Sequence, residues 1–291
     1  MNFKTFFVYG LKLAALTLIM FICFAIAASA VGMGNDPAQT QTQAEQASGA
    51  LLLLLVCLLN TLVLAYLVLR SRWGGVKLMA TIFVVFYGVM TVMSQIESAV
   101  FITKLPSGML QKLFLMGALI AAPFAILAVL ILGKRKTEPD EEPNTRLLMP
   151  VRAWAWKLGV LVLAYVVLYF TFGYFIAWQN PAVREYYGGT DTGSFFAQVA
   201  DISSNQTWLV LLQMLRGLMW IALALPVIRM LKCAWWEAAL AIALLFTVVM
   251  NAQILLPNPY MPETVRMTHL LETATSNFIF GSLAGGLLAY R

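Results

Sequence analysis

Charge is what this chain has least of. Of 291 residues, 19 are Lys or Arg and 13 are Asp or Glu, 11% in all, where a soluble domain carries about 25%. That scarcity excludes a water-soluble globular fold, whose surface needs more charge to stay hydrated. Histidine occurs once, as His269. Cysteine occurs three times, at Cys23, Cys57 and Cys233, in or beside apolar runs and without the close spacing of a metal site or a disulfide framework. A protein metal centre usually takes three or four side-chain ligands, so neither a metal nor another cofactor is expected.

What fills the chain instead is apolar sequence: 61% hydrophobic residues and a mean hydropathy of +0.83. Eight runs are long enough to cross a hydrocarbon layer about 30 Å thick, which takes roughly 20 helical residues. They cover 7–31, 51–69, 78–102, 113–132, 151–178, 208–228, 235–256 and 264–290. The fold class is therefore all-α, a polytopic membrane protein of about eight transmembrane helices.

The formal charge is +6 and the isoelectric point near 9.3. The basic residues follow topology and do not form a nucleic-acid surface, so the bilayer, not nucleic acid, is the expected partner. Arg70, Arg72, Lys77, Lys134, Arg135, Lys136, Arg146, Arg152, Lys157, Arg229 and Lys232 fall in alternate turns, on the side shared by Lys4, Lys12 and Arg291. The opposite turns hold only Lys104, Lys112, Arg184 and Arg266. The positive-inside rule then places both termini in the cytoplasm, with a bacterial inner membrane as the expected location. Trp73, Trp154, Trp156, Trp235 and Trp236 at one boundary and Trp178 and Trp208 at the other fit an aromatic belt. The first run, from Lys4 to Ala30, also has the layout of a secretory signal; its counterpart deep in the chain, described next, predicts that it is retained.

The chain repeats itself. Lys12-Leu-Ala-Ala-Leu resembles Lys157-Leu-Gly-Val-Leu, the basic turn 70–77 resembles 229–236, Val92-Met-Ser-Gln-Ile-Glu resembles Val249-Met-Asn-Ala-Gln-Ile, and Leu105-Pro106 resembles Met261-Pro262. The offset stays near 156 to 157 over the second to fourth runs, and such ordered self-similarity predicts a duplication. It divides the chain into a four-helix repeat at 1–133, a charged, proline-broken linker at 134–150, and a second four-helix repeat at 151–291. An even number of helices gives both repeats the same orientation, related by a pseudo-twofold along the membrane normal. The Gln- and Thr-rich stretch from Gly32 to Ala50 is expected to be a loop. Ser194 to Ile202 predicts an amphipathic helix with its cap at Thr192 or Ser194.

Polar residues at membrane depth are the candidate site, because a charge there costs at least about 2.5–3.5 kcal/mol and is kept for a reason. Arg216 lies about 12 Å and Glu272 about 14 Å in from the non-basic boundary, with His269 shallower, at a rise of 1.5 Å per residue. His269, Glu272, Thr273 and Ser276 share one helical face. Gln213 precedes Arg216 by one turn, Gln95 and Glu97 end the third run, and Asn251, Gln253 and Asn277 complete the set. All lie in the outer half of the bilayer, which predicts a pocket open to the outside. Arg216 is expected to pair with Glu272 or Glu97. The i, i+3 spacing of His269 and Glu272 also occurs in helical metal sites, yet a lone histidine leaves the ligand set short. Ser276 sits about 10 Å along the helix from His269, too far for that base to activate it. No catalytic residue is assigned. Gly281 and Gly285 predict close packing of the last helix on a neighbour.

The sequence thus favours transport or binding of a small polar or anionic solute. A structural or accessory membrane subunit, working through a membrane-protein partner or a second copy of the chain, is the alternative. An intramembrane enzyme, metal-dependent or not, comes third.

Overall fold

The computed structural model describes residues 3–33, 43–102, 105–137, 144–189 and 193–290. Lys104, Arg291, the acidic run 138–143, most of the stretch before Gln43 and the alternative cap Thr192 lie outside them. The described chain is all-helical, with no strand among the described residues beyond one isolated bridge. In order, the helices are α1 (Phe3–Ala30), α2 (Gln43–Leu69), α3 (Gly75–Phe101), α4 (Met109–Ile131), α5 (Val151–Ala177), α6 (Pro181–Tyr187), α7 (Phe195–Asn205), α8 (Thr207–Met230), α9 (Trp235–Leu255) and α10 (Glu263–Ala289).

Among the described residues seven helices, α1 to α5, α8 and α9, are long and apolar enough to cross a membrane, which makes this an integral membrane protein. The eighth expected run is also one continuous helix, α10, but Glu263, Arg266, His269, Glu272 and their polar neighbours occupy its first half and keep it below that apolar level. At α2 the structure departs from expectation. Its helix begins at Gln43, inside the stretch expected to be a loop, because Gln-Ala-Glu-Gln-Ala are good helix formers whatever their polarity.

Three helices contain a π-turn, in which one extra residue widens the helix. These are Gly88–Val92 in α3, Gly173–Ala177 in α5 and Leu245–Val249 in α9. The first and last stand 157 residues apart at both ends.

The chain forms two compact units. The first comprises Met1–Pro143 with Met230–Lys232 and Val248–Pro257; the second comprises the remaining segments from Asn144 onward. In the first unit α4 packs on α1 and α3. Gly117 of α4 lies so close to Thr91 that a Cβ there would stand 2.0 Å from its Oγ1. The turn after α2 pairs with the turn after α8 through a reciprocal bridge, Arg72 N–H donating to Met230 O and Lys232 N–H to Arg70 O, both at 2.8 Å. Residues after α4 close over the same turn: Gly75 N–H donates to Lys134 O and Gly74 N–H to Thr137 Oγ1.

In the second unit α10 packs on α5 and α9. Gly281 and Gly285 meet the backbone of α9, where a Cβ would come within 2.7 Å of Ala243 Cα and 2.5 Å of Ala239 Cα. The expected close-packing face is therefore real, and its partner is α9. At the other end of the linker, Asn144 Nδ2 donates to Arg229 O, and Arg229 Nη1 donates to Asn144 O and Arg146 O. Lys157 Nζ donates to Leu287 O at 2.6 Å, satisfying a carbonyl that the end of α10 leaves without a helical donor.

Candidate functional site: a tyrosine, histidine and glutamate in series

The second unit carries the chemically distinctive arrangement. The short helix α6 begins as sequence chemistry dictates, with Asn180 as cap accepting from Ala182 N–H and Pro181 in the first turn, where a missing N–H does no harm. Asn180 Nδ2 donates to Thr268 Oγ1 at 2.7 Å, Tyr186 OH donates to Tyr260 O at 2.6 Å, and Val183 is buried against Ala177 and Val265. Burial raises the Tyr186 phenol above its ordinary pKa, so it stays a donor. Arg184 Nη1 donates back to Trp178 O. Together these contacts fix α6 against the start of α10 and deliver Tyr187 to the only histidine.

His269 is held from both sides. Its Nδ1 lies 2.8 Å from Glu272 Oε2, one turn along the same helix, and its Nε2 lies 3.1 Å from Tyr187 OH. The tyrosine and imidazole rings meet edge-on, with centroids 5.7 Å apart. A carboxylate at Nδ1 favours the tautomer protonated there, which leaves Nε2 to accept from the tyrosine hydroxyl. The other Glu272 oxygen faces Gly173, where a Cβ would stand 3.5 Å away, at the first residue of the α5 π-turn. Glu272 is buried and His269 half-buried. Chemically this is a series of three groups able to pass a proton from a phenol through an imidazole to a carboxylate.

Within the same unit, Gln213 and Arg216 meet as their spacing predicts. Arg216 Nη1 donates to Gln213 Oε1 at 2.9 Å, and both residues are buried. The guanidinium lies 5.8 Å from the centre of the Tyr165 ring, the tyrosine hydroxyl accepts from Trp220 Nε1, and the ring packs edge-on against Phe280. Gln213 Nε2 is buried and donates to nothing among the described residues. Ser276 Oγ turns back to Thr273 O, and Asn277 is buried.

The remaining candidates, Gln95, Glu97, Asn251 and Gln253, belong to the first unit. Gln253 Nε2 donates to Met90 O, inside the α3 π-turn, at 3.2 Å and also to Met250 O. This fixes the amide so that its Oε1 points away, buried and with no hydrogen bond among the described residues; Gln95 Oε1 is in the same condition. Asn251 is buried and Glu97 half-buried.

Sequence reasoning missed two features. Tyr187 is one; the Asn180-Pro181 start of its helix was the available signal. Asn60 is the other, a fully buried amide in α2 with neither side-chain polar atom bonded among the described residues, 156 residues before Arg216. Applying the repeat offset to Arg216 leads straight to it. Among the described residues no three His, Cys, Asp or Glu side chains converge as a metal would require. No protein-family model, no curated protein and no solved structure matches this chain.

Proposed function

We propose that this integral membrane protein binds a small polar or anionic solute in the second unit and moves it with a proton, with Tyr187, His269 and Glu272 as the proton-exchanging groups and Arg216, steadied by Gln213, as the anion-holding group. The observation that carries the reading is the hydrogen-bonded series from Tyr187 through His269 to Glu272. A helix that only had to pack would not keep His269 and Glu272 in line where apolar residues cost nothing, nor would α6 be held so as to set Tyr187 against them. The buried guanidinium supports the anionic character of the solute, since an interior cation gains most from a charged partner.

The rest of the reading follows the sequence. The chain is a four-plus-four duplication, supported by π-turns 157 residues apart in α3 and α9 and by Asn60 and Arg216 as fully buried polar residues 156 apart in α2 and α8. Eight helices span, α10 among them. Both termini are cytoplasmic, supported by the concentration of Lys and Arg in alternate turns, and the site opens to the outside of a bacterial inner membrane.

The test is thermal stability of the purified protein in detergent against a panel of small anions, amino acids and sugars, for wild type, Arg216→Ala and Glu272→Gln. A ligand-specific rise in wild type that both variants lose, while they still elute as folded protein, is the expected result. If no member of the panel protects wild type, and reconstituted vesicles show no pH-gradient-driven uptake, the solute reading fails and a scaffolding subunit takes its place.

A further inference from the structure

The helix α7 has no part in that site, and its two faces differ sharply. At 100° per residue Phe195, Val199 and Ile202 fall within about 60° of one another with Phe196 at their edge, while Gln198, Asp201 and Asn205 occupy the far side. No residue of α7 is buried, and Phe196 is 80% exposed. An amphipathic helix with an uncovered apolar edge needs a cover.

Both ends of α7 are tied to the mouths of membrane-spanning helices. Ser194 caps it, accepting from Ala197 N–H, and just before the cap Tyr174 OH donates to Gly193 O at 2.7 Å. The Phe195 ring lies 5.4 Å from that of Tyr174 and 5.5 Å from that of Phe175. These two rings belong to the last turn of α5, and Phe175 itself is an exposed residue of that spanning helix. At the other end Thr207 Oγ1 donates to Ser203 O and α8 begins at once, with Trp208 exposed in its first turn. The apolar edge of α7 therefore adjoins the exposed apolar residues Phe175 and Trp208 at the ends of two spanning helices.

We infer that α7 lies on the bilayer, with Phe196, Val199 and Ile202 in the boundary between headgroups and acyl chains. Asp201 is the only charged residue between Gly193 and Thr207 and no basic residue accompanies it, so the lipid it fits is zwitterionic or neutral. Attraction to anionic headgroups has no part in the contact.

The test uses the full chain in phosphatidylcholine vesicles, with Cys23, Cys57 and Cys233 replaced by alanine and an environment-sensitive fluorophore attached at Phe196→Cys or Asp201→Cys. The probe at 196 should be quenched several-fold more by brominated acyl chains than by aqueous iodide, and the probe at 201 the reverse. Neither ratio should change with added phosphatidylglycerol or in about 1 M salt, where screening reaches within about 3 Å. Equal iodide quenching at both positions places the helix in water and overturns the inference. A probe at 196 shielded from both quenchers overturns it in favour of packing on protein, as a lid would. Should the cysteine-free chain fail to fold, labelling of wild-type protein by a diazirine-tailed phosphatidylcholine decides the matter: label within 195–202 is expected, and its absence there sinks the idea.

Discussion

The helices α4 and α10 each pack on two spanning helices of their own unit, and they could hardly be more different. One lies against α1 and α3, the other against α5 and α9. Where α4 has Leu113, Met116 and Gly117, α10 has His269, Glu272 and Thr273, in each case 156 residues later. Apolar α4 needs nothing beyond shape, and Gly117 lets Thr91 approach. Polar α10 has to satisfy the groups it buries, because a buried polar atom left without a hydrogen bond costs about 1–3 kcal/mol. It does so partly alone: Thr268, Thr273, Thr275 and Ser282 each donate to the carbonyl four residues back. It also calls in help from outside itself, through Tyr187 on His269 and Asn180 on Thr268. The polar residues of α10 are thus distinguished less by their number than by the elements that hydrogen-bond to them.

That contrast can be broken in graded steps. Gly285→Ala should do the most damage, near the upper end of the about 1–3 kcal/mol typical of overpacking. Its new methyl meets Ala239 Cα, which is backbone and cannot turn aside; a thermal midpoint in detergent equal to wild type would refute the close packing of α9 and α10. Glu272→Gln comes next, at about 1.5–3 kcal/mol for a buried charge-assisted hydrogen bond, read as a lower midpoint; Met116→Gln, 156 residues earlier in apolar α4, breaks no such bond, and an equal loss there would refute the role of the His269–Glu272 contact.

Gly117→Ala should cost about 1 kcal/mol, less than Gly285→Ala although the gap is narrower, because what it meets is the Thr91 side chain. Adding Thr91→Ala should restore the midpoint, and failure to do so would mean the backbone is equally tight there. The smallest effect is that of Tyr187→Phe. Losing one hydroxyl bond takes about 0.5–1.5 kcal/mol, and the ring packing on His269 and Tyr186 remains. A larger loss would show that Tyr187 holds α6 in place and does more than serve the histidine.

How much of this the sequence disclosed depends on the force concerned. Burial of apolar runs is written plainly in composition, so spans such as 151–178 and 208–228 fall within two residues of the helices at Val151–Ala177 and Thr207–Met230. Local hydrogen bonding is nearly as plain: His269 with Glu272 and Gln213 with Arg216 follow from i, i+3 spacing, and Ser194 caps α7 as its residue type predicts. The start of α2 was hidden because Gln and Glu carry a helix past the end of an apolar run. Tyr187 was hidden because its partner lies 82 residues away in the chain. The π-turns leave no local mark, and only their 157-residue repetition picks two of them out.

The bridge between Ser71 and Leu231 bears on how the protein is made. The two residues of that bridge are 160 positions apart (231 − 71), which a ribosome adding about 5–20 residues per second needs roughly 10–30 s to supply. Until then the bonds from Arg72 N–H to Met230 O and from Lys232 N–H to Arg70 O cannot form, and that from Gln253 Nε2 to Met90 O forms later still. The unit that is synthesised first is thus the one completed late, by residues that leave the ribosome only after most of the other has emerged. A nascent chain arrested shortly after residue 143 should expose those backbone groups to proteases and quality-control factors, whereas one arrested beyond residue 257 should not.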